Sequence, residues 1–172
     1  MIRYSTMTAL ALMLAACAAT PSAGLPAALA PDADETLLLS VAARGVQIYE
    51  CRTAKAGDQT EWAFVAPEAE LLDAGGRPVG SHGAGPSWQA QDGSRVVGSV
   101  KRRVDAPVAG TIPWLLVATR DGGPPGRFSR VTSIQRVNTT GGAAPASGCG
   151  PRSLGVNVRV PYTADYHLYA RR

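Results

Sequence analysis

GVQIYECR, residues 45–52, is the stretch of sequence that decides the fold of this chain. β-Branched and aromatic residues follow a glycine here, which is typical of a β-strand. Ile48 lies on one face of the strand, and Tyr49 and Cys51 lie on the other, because successive side chains of a strand point to opposite sides. Since both faces carry apolar residues, we expect the rest of the domain to cover both.

Strand patterns continue on the C-terminal side of this stretch. Asp92-Gly93, between two extended arms, indicates a β-hairpin. Residues 114–119 (WLLVAT) are almost all apolar, which predicts a central strand. Valines alternate with polar residues from Val156 to Val160, so we expect a half-buried strand there that ends or bulges at Pro161.

Other segments predict further strands or leave two interpretations open. Residues 36–43 could form a short helix or a buried strand, since periodicity alone does not separate the two. Residues 128–138 predict one long strand, and residues 166–169 predict a short closing strand. Trp62 and Phe64 lie two positions apart, so we expect both to point into the core.

The composition agrees with many short strands. The chain has 172 residues, enough for one domain with a substantial core, and contains 19 glycines and 13 prolines with only 17% charged residues. This composition favours strands joined by turns over a helical bundle. We therefore predict an all-β fold, a single antiparallel β-sandwich or partly open β-barrel domain, preceded by a signal-peptide helix.

The first 17 residues, MIRYSTMTALALMLAAC, have the pattern of an export signal. One arginine precedes an apolar run, Met7–Ala16, which is too short to cross a bilayer as a helix. The run ends in Leu14-Ala15-Ala16-Cys17, which resembles the bacterial lipobox, in which the cysteine is acylated and becomes the new N-terminus. The alternative is ordinary signal-peptidase cleavage nearby.

Cys17 is therefore the predicted lipidation site, and it divides the chain into three regions. Residues 1–16 form a lipoprotein signal peptide, residues 17–31 the lipidated cysteine and a flexible tether, and residues 32–172 the β domain. The predicted partner is a membrane, reached through the lipid anchor. Ala18 follows the cysteine, and resemblance to enterobacterial sorting signals favours the outer membrane, facing the periplasm or the surface.

Two further cysteines, Cys51 and Cys149, remain once the signal is removed and Cys17 is acylated. An exported protein meets an oxidising compartment, in which cysteines pair. We therefore predict a Cys51–Cys149 disulfide that ties the strand at 45–52 to the last third of the chain.

Charge and histidine content argue against two kinds of partner. The net charge is +4, and the basic residues are scattered except for a run at residues 101–103. A nucleic-acid surface has a basic stripe with interleaved aromatic residues, so no nucleic-acid partner is predicted. His82 and His167 show no metal-ligand spacing, and we predict neither a metal nor a cofactor.

A candidate ligand site is formed by His82, Trp88, Tyr162 and Tyr166. His82 is set among glycines in a compact loop, residues 81–86, and Trp88 follows at once. The last segment is rich in tyrosine, whose apolar face and polar rim suit sugars or aromatic ligands. If these groups line one concave surface, His82 and the tyrosines should lie within about 10 Å of each other. The alternative is ordinary core packing.

Catalysis is the second functional interpretation. His82 could act as a base with a nearby carboxylate, Asp73 or Asp92, because neighbouring hairpin loops can converge. No nucleophile elbow or related motif accompanies it, so the catalytic residues stay unassigned.

Several segments resemble the DUF3455 family of secreted or surface proteins of bacteria and fungi, which has no established activity. The resemblance covers about residues 25–170 and implies one export-associated domain without catalytic residues to transfer. We predict a lipid-anchored cell-envelope protein that acts as a binding or structural module for a small-molecule or glycan ligand; the alternative is a small envelope hydrolase using His82. The similar segments are ARGVQIYEC, WAFVAPEAELLDAGGRPVGSHGAGPSW, DGSRVVG, IPWLLV, VTSIQRVNTTGGAAPASGC and VPYTADYHLY.

Overall fold

The structure, a computed structural model, describes residues 24–55 and 57–172, so the predicted signal peptide and Cys17 lie outside the described residues. None of the helices in this part of the chain is long and apolar enough to cross a membrane. Two short 3-10 helices, Ala27–Leu29 and Pro151–Ser153, accompany eight strands. The strands are β1 (Glu35–Thr53), β2 (Thr60–Leu72), β3 (Pro78–Gly83), β4 (Ser87–Ala90), β5 (Arg95–Val104), β6 (Trp114–Asp121), β7 (Ser133–Gly141) and β8 (Asn157–Arg171).

The strands form one antiparallel sheet that closes into a ring. Each strand pairs with the next along the chain, and β1 also pairs with β8, from Glu35 opposite Arg171 to Glu50 opposite Asn157. Every strand of the described chain has a neighbour on both sides over part of its length. β2 before Ala69 and β5 after Gly98 pair on one side only, so the sheet keeps an unpaired edge there. The all-β prediction is confirmed.

β1 joins two segments that the sequence analysis treated as separate elements. Residues 36–43 are strand rather than helix and continue without a break through residues 45–52. Gly45 permits this continuity, because β2 passes so close that a Cβ at this position would meet the Glu68 carbonyl oxygen and Ala69. The fold-deciding stretch is thus the second half of a strand that pairs with both β2 and β8.

β8 also runs further than its sequence suggests. The expectations that Pro161 ends or bulges the strand and that residues 166–169 form a separate one were wrong, since β8 is continuous from Asn157 to Arg171. The reason is the length of β7, which ends at Gly141, opposite Tyr162. Pro161 therefore lies just beyond the end of β7, where the N–H that proline lacks would have no partner strand on that side.

Two other local expectations were wrong. Residues 128–131 form a turn in which the Val131 N–H donates to the Phe128 carbonyl, and the strand starts only at Ser133. Phe128 and Val131 are both buried, and a turn allows residues three positions apart to face the same core. Phe64 is 54% exposed instead of buried, because a β-bulge between β1 and β2 interrupts the alternation beside it.

The Asp92-Gly93 hairpin is confirmed between β4 and β5. Gly93 has a φ of +87°, a conformation open to glycine, and the Ala90 N–H donates to the Ser94 carbonyl across the turn. Residues 114–119 form most of β6, whose side chains are apolar on both faces. Leu115 and Val117 face the interior of the ring, and Trp114 and Leu116 pack outside it with Leu29.

Residues 24–30, within the region predicted as tether, lie against the outside of the sheet. Leu29 is fully buried, and its carbonyl accepts a hydrogen bond of 2.6 Å from Gln135 Nε2. Asp32 pairs with Lys101 at 2.8 Å. The described part of the N-terminal segment is thus held on β5, β6 and β7 before β1 begins.

The predicted disulfide is confirmed. Cys51 and Cys149 are bonded, with their Cα atoms 5.3 Å apart and a separation of 98 positions in the sequence. Cys51 is completely buried, and its backbone N–H donates to the Val156 carbonyl. The bond fastens the end of β1 to the loop that leads into β8.

Candidate functional site

One end of the ring contains a cavity of about 700 Å³ that is partly open to solvent. This volume lies in the range of small-molecule sites, roughly 300–1,000 Å³. Packed apolar side chains fill the rest of the interior, and Trp88, Val117 and Tyr166 belong both to that core and to the cavity lining. Phe64 and Val100 also line the cavity but are more than half exposed. They mark the place where the cavity opens to solvent, which we call the mouth.

An aromatic cluster of His82, Trp88 and Tyr166 forms one side of the cavity. The His82 and Trp88 rings are stacked, with centroids 4.3 Å apart and planes 16° apart. Tyr166 packs edge-on against both, at 5.3 Å from His82 and 5.6 Å from Trp88. All three are at most 3% exposed, so the cluster is rigidly packed.

Strand register builds this cluster. His82 on β3 lies directly opposite Trp88 on β4, and paired residues of antiparallel strands have adjacent side chains. Gly98 on β5 leaves the space for the indole, since a Cβ there would lie 2.7 Å from Trp88 Cζ3. Tyr166 reaches the cluster from β8, on the opposite arc of the ring.

The structure therefore brings three of the four predicted ligand-site residues into direct contact. The fourth, Tyr162, lies on the same face of β8 as Tyr166 and is buried, but it is not among the residues that line the cavity. His82 is on a strand rather than in the predicted loop. Gly80, just before the predicted loop, serves close packing, because a Cβ there would meet the Gln89 carbonyl oxygen of β4.

His82 is held neutral. Its Nδ1 lies 2.9 Å from the Ser87 carbonyl oxygen, which can only accept, so Nδ1 carries the proton. Burial, with a smaller contribution from the Arg136 charge, lowers the pKa of His82 to about 4. Nε2 of a neutral imidazole with this tautomer is a hydrogen-bond acceptor.

The carboxylates that a hydrolase would require are bonded elsewhere. Asp73 accepts hydrogen bonds from Gly75 and Arg77 within its own turn, and Asp92 accepts from Ser94 and Arg127. His82 thus has no carboxylate partner among the described residues. In the same part of the chain, no three His, Cys, Asp or Glu side chains are grouped so as to hold a metal ion.

Arg136 brings a positive charge to the cavity lining. Its Nε and Nη2 donate to the Pro113 carbonyl oxygen at 3.1 and 2.8 Å. Burial raises the pKa of Tyr166 and of Tyr49, and the nearby Arg136 charge opposes that rise in both. Among the described residues, no carboxylate forms a salt bridge with Arg136, so its charge is balanced by no acidic side chain.

Several buried polar atoms at or beside the cavity have no hydrogen-bond partner. They are Gln47 Nε2, Trp88 Nε1 and the hydroxyls of Tyr162 and Tyr166. Buried polar groups of this kind are normally hydrogen-bonded, because a buried group without a hydrogen bond costs about 1–3 kcal/mol of stability. Each of these atoms is shielded from the cavity, and Gln47, Tyr162 and Tyr166 lie close to one another and to Arg136.

Comparison with known proteins places this site within a family. A family model described as "Protein of unknown function (DUF3455)" matches residues 31–170. The chain belongs to the DUF3455 family. Searches of curated proteins and of solved structures gave no match. All cavity-lining residues of this DUF3455 domain fall within the matched range, so the cavity lies in the part of the chain that the family model describes.

Two polar residues of the DUF3455 cavity, Gln47 and Arg136, were missed in the sequence. Each gave a signal in its strand: Gln47 shares a face with Tyr49 and Cys51, and Arg136 shares one with Ile134. A polar residue on an otherwise apolar face is expected to be paired or functional. The signal could be used only once these faces were known to point inward.

Proposed function

We propose that this protein is a binding module of the cell envelope, and that its ligand is a small organic molecule with an apolar, ring-sized part held in the cavity. The observation that carries the proposal is a concave space of about 700 Å³ that has both an aromatic side and a partly buried arginine, Arg136, in its lining. Binding sites for small molecules are mostly apolar concavities with a few convergent polar groups.

The apolar contacts support a flat or ring-containing ligand. The indole of Trp88 lies beside the space, and Leu115 and Val117 of β6 also line it. Tyr49 extends this lining with its ring, while its hydroxyl is already engaged with the Gly142 carbonyl at 2.7 Å. The cavity is open at the mouth, where Phe64, Val65 and Val100 are exposed, so the part of a bound molecule that lies against Trp88 and Val117 would be removed from water.

We further propose that the module is anchored to a membrane, at the outer membrane, through an acylated Cys17. The Leu14-Ala15-Ala16-Cys17 sequence supports an attachment of this kind, and Ala18 after the cysteine supports the outer membrane. Metabolic labelling with an alkyne fatty acid should tag the wild-type protein and not Cys17→Ser. Equal labelling of both would show that the acyl group is not on Cys17.

The cavity can be tested with N-phenyl-1-naphthylamine, a neutral dye whose fluorescence rises in apolar surroundings. The wild-type domain should bind it, and Val100→Trp should weaken binding about tenfold or more, because an indole at the mouth narrows the entrance. Val108→Trp is the matched control, since Val108 is 64% exposed and does not line the cavity. Absence of dye binding, or equal weakening by both variants, would contradict the proposal.

A further inference from the structure

We infer that the ligand of the cavity is an organic monoacid whose anionic group pairs with Arg136 while its apolar part lies against Trp88 and Val117. This inference rests on the proposed function, since it names the chemical class of molecule that the same cavity takes. It goes further by assigning the polar end of the ligand to one side chain.

The first support is the unpaired charge of Arg136. Two of its nitrogens, Nε and Nη2, are occupied by one neutral acceptor, the Pro113 carbonyl, and Nη1 makes no hydrogen bond within the described residues. None of the residues that line the cavity is acidic. A guanidinium in partly buried surroundings is stabilised by an anion, and the fork of an arginine fits a carboxylate particularly well.

The second support is the way in which the other polar groups of the lining are bonded. The hydroxyls of Tyr49 and Thr111 donate to the Gly142 and Val108 carbonyl oxygens, and His82 Nδ1 donates to the Ser87 carbonyl oxygen. These groups have no further hydrogen to donate, so the arginines of the lining are its charged donors. A carboxylate is acceptor-only, so it complements such a lining better than an amine.

The third support concerns the number of charges. His82 is neutral at physiological pH, because burial lowers its pKa to about 4. Arg103 also lines the cavity, but its side chain is 65% exposed and lies 3.9 Å from Asp105. Arg136 is then the one cation of the described lining that is shielded from solvent, which matches a ligand with a single negative charge.

The test is competition against the neutral dye by matched acids and amides. With the dye bound to the wild-type domain, 4-phenylbutyrate should displace it at a concentration at least about tenfold lower than 4-phenylbutanamide requires. Decanoate should show the same advantage over decanamide. The aromatic and aliphatic arms distinguish a ring-containing acid from a fatty acid as the source of the same carboxylate. Equal competition by each acid and its amide, or no displacement by either, would overturn the inference while dye binding still upheld the cavity.

Arginine variants test which side chain of the lining pairs with the acid. Arg136→Gln should abolish the preference for acid over amide, and Arg103→Gln, the matched control at the mouth, should keep it within about twofold. A preference that survives Arg136→Gln would overturn the assignment.

Because Arg136→Gln also removes contacts to Pro113, a second variant avoids the question of folding. Arg136→Lys keeps one positive charge at the same position, so it should retain part of the preference for acid over amide that Arg136→Gln loses. The melting temperatures of the two variants report on folding. Two variants that fold alike and show the same preference for acid over amide would contradict the inference.

Discussion

Replacing both Cys51 and Cys149 with alanine should lower the free energy of unfolding by about 4–5 kcal/mol in the chain-entropy model. The two residues are 98 positions apart, and the loop that they close contains β2 to β7, six of the eight strands of the ring. Without the crosslink the unfolded chain gains the freedom to separate the end of β1 from the start of β8. Urea unfolding of the two proteins, monitored by tryptophan fluorescence, measures the difference.

Reduction supplies the control for this prediction. Wild-type protein unfolded in the presence of dithiothreitol should match the double variant, whereas the double variant should not respond to the reductant. A loss below about 1 kcal/mol would contradict the chain-entropy argument for this bond.

Leu29→Ala should cost about 3 kcal/mol of unfolding free energy, within the 2–5 kcal/mol that removal of a buried leucine side chain typically costs. Leu29 is fully buried against Trp114, Leu116 and Val137 on the outside of the sheet. Shortening it leaves a void beneath the N-terminal segment and exposes an apolar patch. Leu25, in the same segment, is 47% exposed, so Leu25→Ala is the matched control and should change stability by less than about 0.5 kcal/mol.

Protease sensitivity of the N-terminal segment gives this prediction a second readout. If Leu29 holds the segment on the sheet, limited proteolysis near residues 24–30 should be faster in Leu29→Ala than in Leu25→Ala. Equal stability and equal cleavage of the two variants would mean that the segment contributes little to the folded domain.

Local chemistry was enough to predict the features that depend on only a few neighbouring residues. Asp92-Gly93 has the backbone preference of a tight hairpin turn, and the apolar run of β6 is covered on both faces in the structure. The disulfide could be predicted because Cys51 and Cys149 are the only cysteines that remain after the lipobox.

The continuity of β1 and β8 could not be read in the same way, because it depends on the neighbouring strands. Pro161 is compatible with a strand only because β7 ends at Gly141. Gly45 resembles a break in the chain but is required by the close approach of β2 at Ala69. The roles of both residues depend on how neighbouring strands of the ring pair, and that pairing cannot be derived from one sequence.

The candidate site shows the same division. Residue type and sequence position identified His82 and Trp88, which lie near glycines, and Tyr166, which lies in a tyrosine-rich segment. It gave no indication that His82 would stack on Trp88, which follows from their pairing between β3 and β4. Arg136 required knowledge of which face of β7 points inward, so the charged part of the site emerged only from the structure.

The central claim, that the ring cavity holds a small ligand, is tested most directly by native mass spectrometry of the protein purified from its own host. We predict a reproducible bound mass of a small organic acid on the wild-type protein and on Val108→Trp, and its loss from Val100→Trp. The same bound mass on Val100→Trp, or wild-type protein that carries no ligand, would contradict the account.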